Sequence, residues 1–133
     1  LKYYFSDVGL RNARLNFRQQ EENHIMENII YNELLRRGYS VDVGVVTDRT
    51  GGANVQKEID FVVNDADKKI YIQSAFQMDT DKKESSELAS LILTKDFFKK
   101  IIVRMDIPHN FYDDNGIFHC NLIDFLLNRV ELF

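Results

Sequence analysis

The chain of 133 residues has no tryptophan, one proline, one cysteine and only six glycines. So little proline and glycine excludes a collagen-like or linker-like polymer. The single Cys120 cannot form an internal disulfide or a cysteine zinc cluster, which fits a reducing cytoplasm. No apolar run approaches the ~20 residues that a membrane helix needs, and no signal-peptide pattern opens the chain. Positive charge is not in excess either. Seventeen Lys and Arg against 21 Asp and Glu leave a net charge of −4, which argues against a whole surface built to grip nucleic acid. A local basic patch stays open. What is present is ordinary: 44% apolar and 29% charged residues exclude disorder, and the length suits one domain. A start at Leu1 rather than methionine suggests a piece of something longer.

The hydrophobic pattern predicts the elements in turn. Residues 2–5 form a short aromatic, strand-like run, and Ser6 or Asp7 would cap a helix over 8–17. Ile25, Met26, Ile29, Ile30 and Leu34 recur at helical spacing across 21–37, and Arg36-Arg37-Gly38 closes that helix. Strict alternation of Val41, Val43 and Val45 predicts a strand over 39–46, and turn residues predict a loop over 47–56. Strands at 57–64 and 69–77 are joined closely enough to form an antiparallel hairpin. A helix over 82–95 would bury Leu88, Leu91 and Ile92, and an apolar run over 99–105 suits a buried strand. Asp113-Asp114-Asn115-Gly116 is a hairpin turn between 111–112 and 117–119, and Asn121 caps a last helix over 122–127. This order predicts a single α/β domain, a mixed sheet with helices on both sides.

Several chemistries drop out. No phosphate-binding GxxxxGK[ST] or GxGxxG occurs, and Gly51-Gly52 sits in a polar loop without the lysine, so this chain by itself should not hydrolyse ATP. His24, His109 and His119 are scattered, and Cys120 reads as a small buried apolar residue. Carboxylates are the stronger signal. In Glu58-Ile59-Asp60-Phe61-Val62-Val63, alternation puts Glu58 and Asp60 on one face and Ile59, Phe61 and Val63 on the other. Tyr71, Gln73, Ala75 and Gln77 share a face of the partner strand, so the hairpin would bring two acids near two side-chain amides. Glu27 lies at the edge of the apolar stripe of its helix and could point to the same place. The alternative is plain: Glu27 complements the helix dipole and the strand acids are solvated.

Lys2-Tyr3-Tyr4-Phe5-Ser6-Asp7-Val8-Gly9-Leu10, then Met26-Glu27-Asn28 with Asn32-Glu33-Leu34, then Glu58-Ile59-Asp60-Phe61-Val62, resemble the C-terminal domain of a family of prokaryotic AAA-type ATPases. That domain, of unknown function, is similar to the PD-(D/E)XK nuclease fold. The resemblance implies a restriction-endonuclease-like α-β-β-β-α-β core, with an ATP-binding domain N-terminal to Leu1 as its partner. In active nucleases of that fold a helix glutamate, a strand aspartate and a Glu-x-Lys surround magnesium; the carboxylates hold the ion and the lysine helps position the nucleophile. The resemblance places Glu27 and Asp60 at the first two positions; Glu58, on the same strand face as Asp60 by alternation, is a further candidate metal ligand. The next strand departs from the pattern. It reads Ile72-Gln73-Ser74-Ala75, so Gln73 stands where a carboxylate is expected and Ala75 where the amine is expected. Lys57 falls on the Ile59 face and does not replace that amine.

Three functions follow as expectations. The first is a catalytically degraded nuclease-like module with site residues Glu27, Asp60 and Gln73, holding no cofactor itself and contacting nucleic acid or a partner protein but no membrane. Arg11, Arg14 and Arg18, on one face of the early helix, would meet phosphate, and Gln77 would add a hydrogen bond. The second is a working magnesium-dependent nuclease using Glu27, Glu58 and Asp60. A structural or oligomerisation domain that regulates the ATPase is the third.

Overall fold

The computed structural model describes residues 2–4, 6 and 22–133. The helix expected over 8–17, with Arg11, Arg14 and Arg18, lies outside the described residues. Helix α1 (Glu22–Arg36) leads into β1 (Ser40–Asp48), β2 (Val55–Asp65) and β3 (Lys68–Ala75). Helix α2 (Asp81–Ile92) then crosses to β4 (Lys99–Arg104), and β5 (Phe111–Tyr112), β6 (Phe118–Asn121) and the short α3 (Leu122–Leu126) complete the fold. The six strands form one mixed sheet in the order β1-β2-β3-β4-β6-β5. The β1–β2 and β2–β3 pairs are antiparallel, β3–β4 and β4–β6 are parallel, and β5 returns antiparallel on β6.

Helix α1 stops where glycine lets it. Gly38 takes φ +85°, so its amide reaches Leu35 O at 2.9 Å and the Tyr39 amide reaches Leu34 O at 3.2 Å. Arg37 then ties α1 to α3, donating to Phe125 O at 2.6 Å while its guanidinium lies 4.9 Å from the Phe125 ring centroid. Thr80 caps α2 and Asn121 caps α3, each accepting a backbone amide of the first turn. The Asp113 side chain accepts the amides of Asn115 and Ile117, which builds the expected hairpin turn.

Two apolar layers cover the sheet. Met26, Ile30 and Leu34 of α1 pack with Phe61, Val63, Ile70, Ile72, Ile101 and Val103 on one face. Leu88 and Leu91 of α2 pack with Ile59, Tyr71, Ala75 and Ile102 on the other. No helix among the described residues is long and apolar enough to cross a membrane.

Several sequence expectations need correction. Lys2–Tyr4 is not a strand; it is an irregular segment lying against α1 and β2. The loop expected over 47–56 is shorter, because Thr47 pairs with Gln56 and Asp48 with Val55. β3 ends at Ala75, which leaves Gln77 exposed beyond the sheet. α2 ends at Ile92, whose side chain is 48% exposed rather than buried. The largest correction concerns parity. Ile59 packs on the α2 face whereas Phe61 and Val63 pack on the α1 face. The β1–β2 register explains this: Asp42 pairs with Val62, but Gly44 pairs with Ile59. β2 therefore carries one extra residue there, a β-bulge, and the alternation breaks at Asp60. Gly44 is required opposite it, since a Cβ at that position would sit 2.8 Å from Val62 Cγ2 and 3.1 Å from Ile59 Cβ.

Candidate functional site

The bulge also ends the β2–β3 ladder. Paired residues run from Asp65 and Lys68 to Phe61 and Ile72, and the next step is closed by side chains. The Asp60 amide donates to Gln73 Oε1 at 2.9 Å, and the Ser74 amide donates to Asp60 Oδ2 at 2.9 Å. A carboxylate and an amide thus replace two backbone partners where the strands part. Gln73 Nε2 donates onward to Glu87 Oε2 of α2 at 3.3 Å.

The other oxygen of Asp60 faces the N-terminal segment. Lys2 Nζ donates to Glu27 Oε1 at 2.9 Å and to Asp60 Oδ1 at 3.2 Å, and lies 3.7 Å from Glu58 Oε2. Tyr4 Oη donates to the same Glu27 oxygen at 2.5 Å. The Tyr4 ring stacks on Tyr31 with centroids 4.2 Å apart and leans on Phe61 at 5.9 Å. Clefts of about 320 Å³ and about 200 Å³ are both lined by Lys2 and Tyr4; Glu58 and Asp60 line the larger, Glu27 and His24 the smaller.

Glu27, Asp60 and Glu58, far apart in sequence, are therefore gathered on one ammonium, and Gln73 is one hydrogen bond from Asp60. Its side chain runs to α2 rather than toward Lys2. Two members of the cluster were not among the expected site residues. Glu87 lies on a helix whose polar face shows nothing unusual in sequence. Lys2 stands in the aromatic N-terminal run, and no local pattern links it to acids 25 and 58 residues away. Cys120 is buried, as expected, and burial pushes its thiol up to about 11.

Burial, reinforced by the negative charge of Glu27, lifts the Asp60 carboxyl from its ordinary 3.8 to about 6, although Lys2 and the Ser74 amide oppose the rise. Glu87 is raised too, by burial first and then by Glu27, against its bond to Gln73. Lys2 loses basicity to burial, but its bonds and attraction to Glu27 and Asp60 outweigh that and raise it above the usual 10.5. The Asp60 shift fixes a pH dependence. Folded Asp60 holds its proton to higher pH than unfolded Asp60, so ionisation weakens the fold. Its contribution is greatest below about pH 4, falls as pH rises to about 6, and stays level above. Holding this carboxyl at about 6 rather than 3.8 corresponds to about 3 kcal/mol. Glu33 and Asp106, held low by their arginine partners, and Asp96, held low first by the Tyr71 hydroxyl and then by Lys100, give the opposite slope at more acid pH in wild type and variant alike. Urea unfolding at several pH values should show wild type losing stability between pH 4 and 6 relative to Asp60→Asn; parallel curves would refute the assignment.

Glu27, Asp60 and Glu58 thus share one cation supplied by the chain itself, and the neighbouring Gln73 is a neutral amide engaged at both ends.

No family model matches the chain, and no solved structure matches it. It is similar to an uncharacterized protein of Haemophilus influenzae, at 36% identity over 129 residues. That match takes in 95% of this chain, which spans only 28% of the Haemophilus protein's length.

Proposed function

We propose that this chain is a nuclease-like module of the PD-(D/E)XK type whose cutting site is degraded, serving to contact nucleic acid. In the intact protein it would be the C-terminal part of a prokaryotic AAA-type ATPase. The observation that carries the reading is Gln73. Where the resemblance expects a charged metal ligand, this chain has an amide whose oxygen is held by the Asp60 amide and whose nitrogen is held by Glu87. Ala75 supplies no amine. Losing charge-stabilising groups of this kind commonly costs ~10²–10³-fold in rate each, so the pair of changes removes useful cleavage. The element order α1-β1-β2-β3-α2-β4, with antiparallel, antiparallel and parallel pairings, supports the same reading. So does the meeting of Glu27 and Asp60 beside the parting of β2 and β3.

Contact with phosphate is assigned to Arg11, Arg14 and Arg18 by their spacing, and with bases or a peptide to Gln77. Fluorescence anisotropy with labelled DNA and RNA should show binding that weakens steeply with salt. Replacing the three arginines by alanine should make the slope of log affinity against log salt shallower by about 2–3. A supercoiled-plasmid assay with magnesium should show no nicking. Nicking that disappears in Asp60→Ala would instead establish a working nuclease, and salt-independent or absent binding would leave the module to a protein partner.

A further inference from the structure

We propose that Lys2 is the resident cation of the carboxylate cluster, an ammonium supplied by the chain itself where the resemblance expects a metal, and that Lys2–Tyr4 is a strap holding the cleft shut. The inference deepens the reading above and rests on it. Three carboxylates from α1 and β2 converge on one Nζ, at 2.9, 3.2 and 3.7 Å, within ion-pairing reach. Carboxylates gathered this closely repel one another unless a cation sits between them. The strap is built rather than draped. Tyr4 hydrogen-bonds the same Glu27 oxygen, stacks on Tyr31 and packs against Phe61. Lys2 and Tyr4 line both clefts.

An ammonium brings a single charge and three rotatable hydrogen-bond donors. It satisfies Glu27 and Asp60 without demanding six oxygens, which suits a site that has lost a carboxylate at Gln73. Removing it should leave at least two acids without a counter-charge and make the cleft attractive to a divalent ion.

The test is thermal unfolding with and without millimolar Mn²⁺ at constant ionic strength, on wild type, Lys2→Met, Lys2→Arg and Lys2→Met with Asp60→Asn. Wild type and Lys2→Arg should not respond to manganese. Lys2→Met should melt about 5 °C or more lower and recover about 3–5 °C on adding the ion, and the double variant should not recover. If Lys2→Met does not fold alone, regain of a cooperative transition with manganese supports the proposal and its absence overturns it. Manganese stabilising wild type as much as Lys2→Met, or leaving Lys2→Met unmoved, also overturns it. Because no nucleic acid enters this experiment, its failure is separable from failure of the binding and nicking assays. Plasmid nicking by wild type would sink the degraded-site reading, whereas the manganese response judges Lys2 alone.

Discussion

Arg104→Ala is expected to cost about 3–5 kcal/mol of folding stability, the loss typical of removing one partner from a buried ionic network. Arg104 ends β4 with its side chain inside the protein. Its Nε and Nη2 grip both oxygens of Asp106 at 2.7 and 2.8 Å, and Nη1 lies 3.0 Å from His119 Nδ1. A guanidinium only donates, so His119 Nδ1 must accept. The imidazole proton is therefore on Nε2, where it is given to Asp113 Oδ2 at 2.8 Å. Phe111 stacks on the ring with centroids 4.5 Å apart, and Asp106 also accepts the Met78 amide at 2.9 Å. One side chain thus joins β4, β6, the hairpin turn and the segment after β3. Without it, Asp106 keeps one amide partner, and buried His119 is left with an unmatched acceptor. Arg104→Met should recover only a minor part, since it restores volume but no donor. Urea unfolding followed by circular dichroism, suited to a chain without tryptophan, measures both. A cost below about 1 kcal/mol for Arg104→Ala would show that the network contributes little.

Phe61→Ala should be comparably damaging, at about 3–5 kcal/mol. Phe61 follows the bulge residue, is 1% exposed, and packs with Met26, Ile30 and Ile72. It also walls the aromatic group of Tyr4 and Tyr31, with centroids 5.9 and 6.3 Å away. Truncation opens a cavity in that layer and removes the support under the strap. The second effect makes the prediction specific. Tyr4 ring resonances should lose the shifts they owe to Tyr31 and Phe61, while the packing of Leu91 on the opposite face should be undisturbed. Phe61→Leu, which keeps most of the volume, should cost less than half as much. If Phe61→Ala perturbed Leu91 and spared Tyr4, Phe61 would belong to the Ile59 layer and the bulge would be misplaced.

Local chemistry made much of the architecture legible in the sequence. The stripe around Met26, Ile30 and Leu34, closed by Gly38, identifies α1 because a helix repeats its buried face every three to four residues. Asp113–Gly116 marks the last hairpin turn and Asn121 marks the start of α3, each by interactions reaching only a few residues; Val41, Val43 and Val45 mark β1 as a strand, although Val43 and Val45 turn out exposed. Glu27, Glu58 and Asp60 stand out in the sequence as candidate acids, and the structure gathers all three on Lys2.

Tertiary structure decided the rest. Alternation placed Ile59 and Phe61 on one face, but a bulge adds a single residue, and what permits it is Gly44 on the neighbouring strand, not anything within β2. The loop expected over 47–56 lost both ends to pairing, since cross-strand hydrogen bonds can hold turn-prone residues in a ladder. Lys2, Glu87 and the Arg104–His119–Asp113 network join parts of the chain that only the folded topology brings together. Periodicity reports which face a residue prefers; it carries no information about which charge from another element arrives there. An ammonium among three carboxylates becomes visible only when α1, β2 and the N-terminal segment are packed, because burial is what makes that pairing strong.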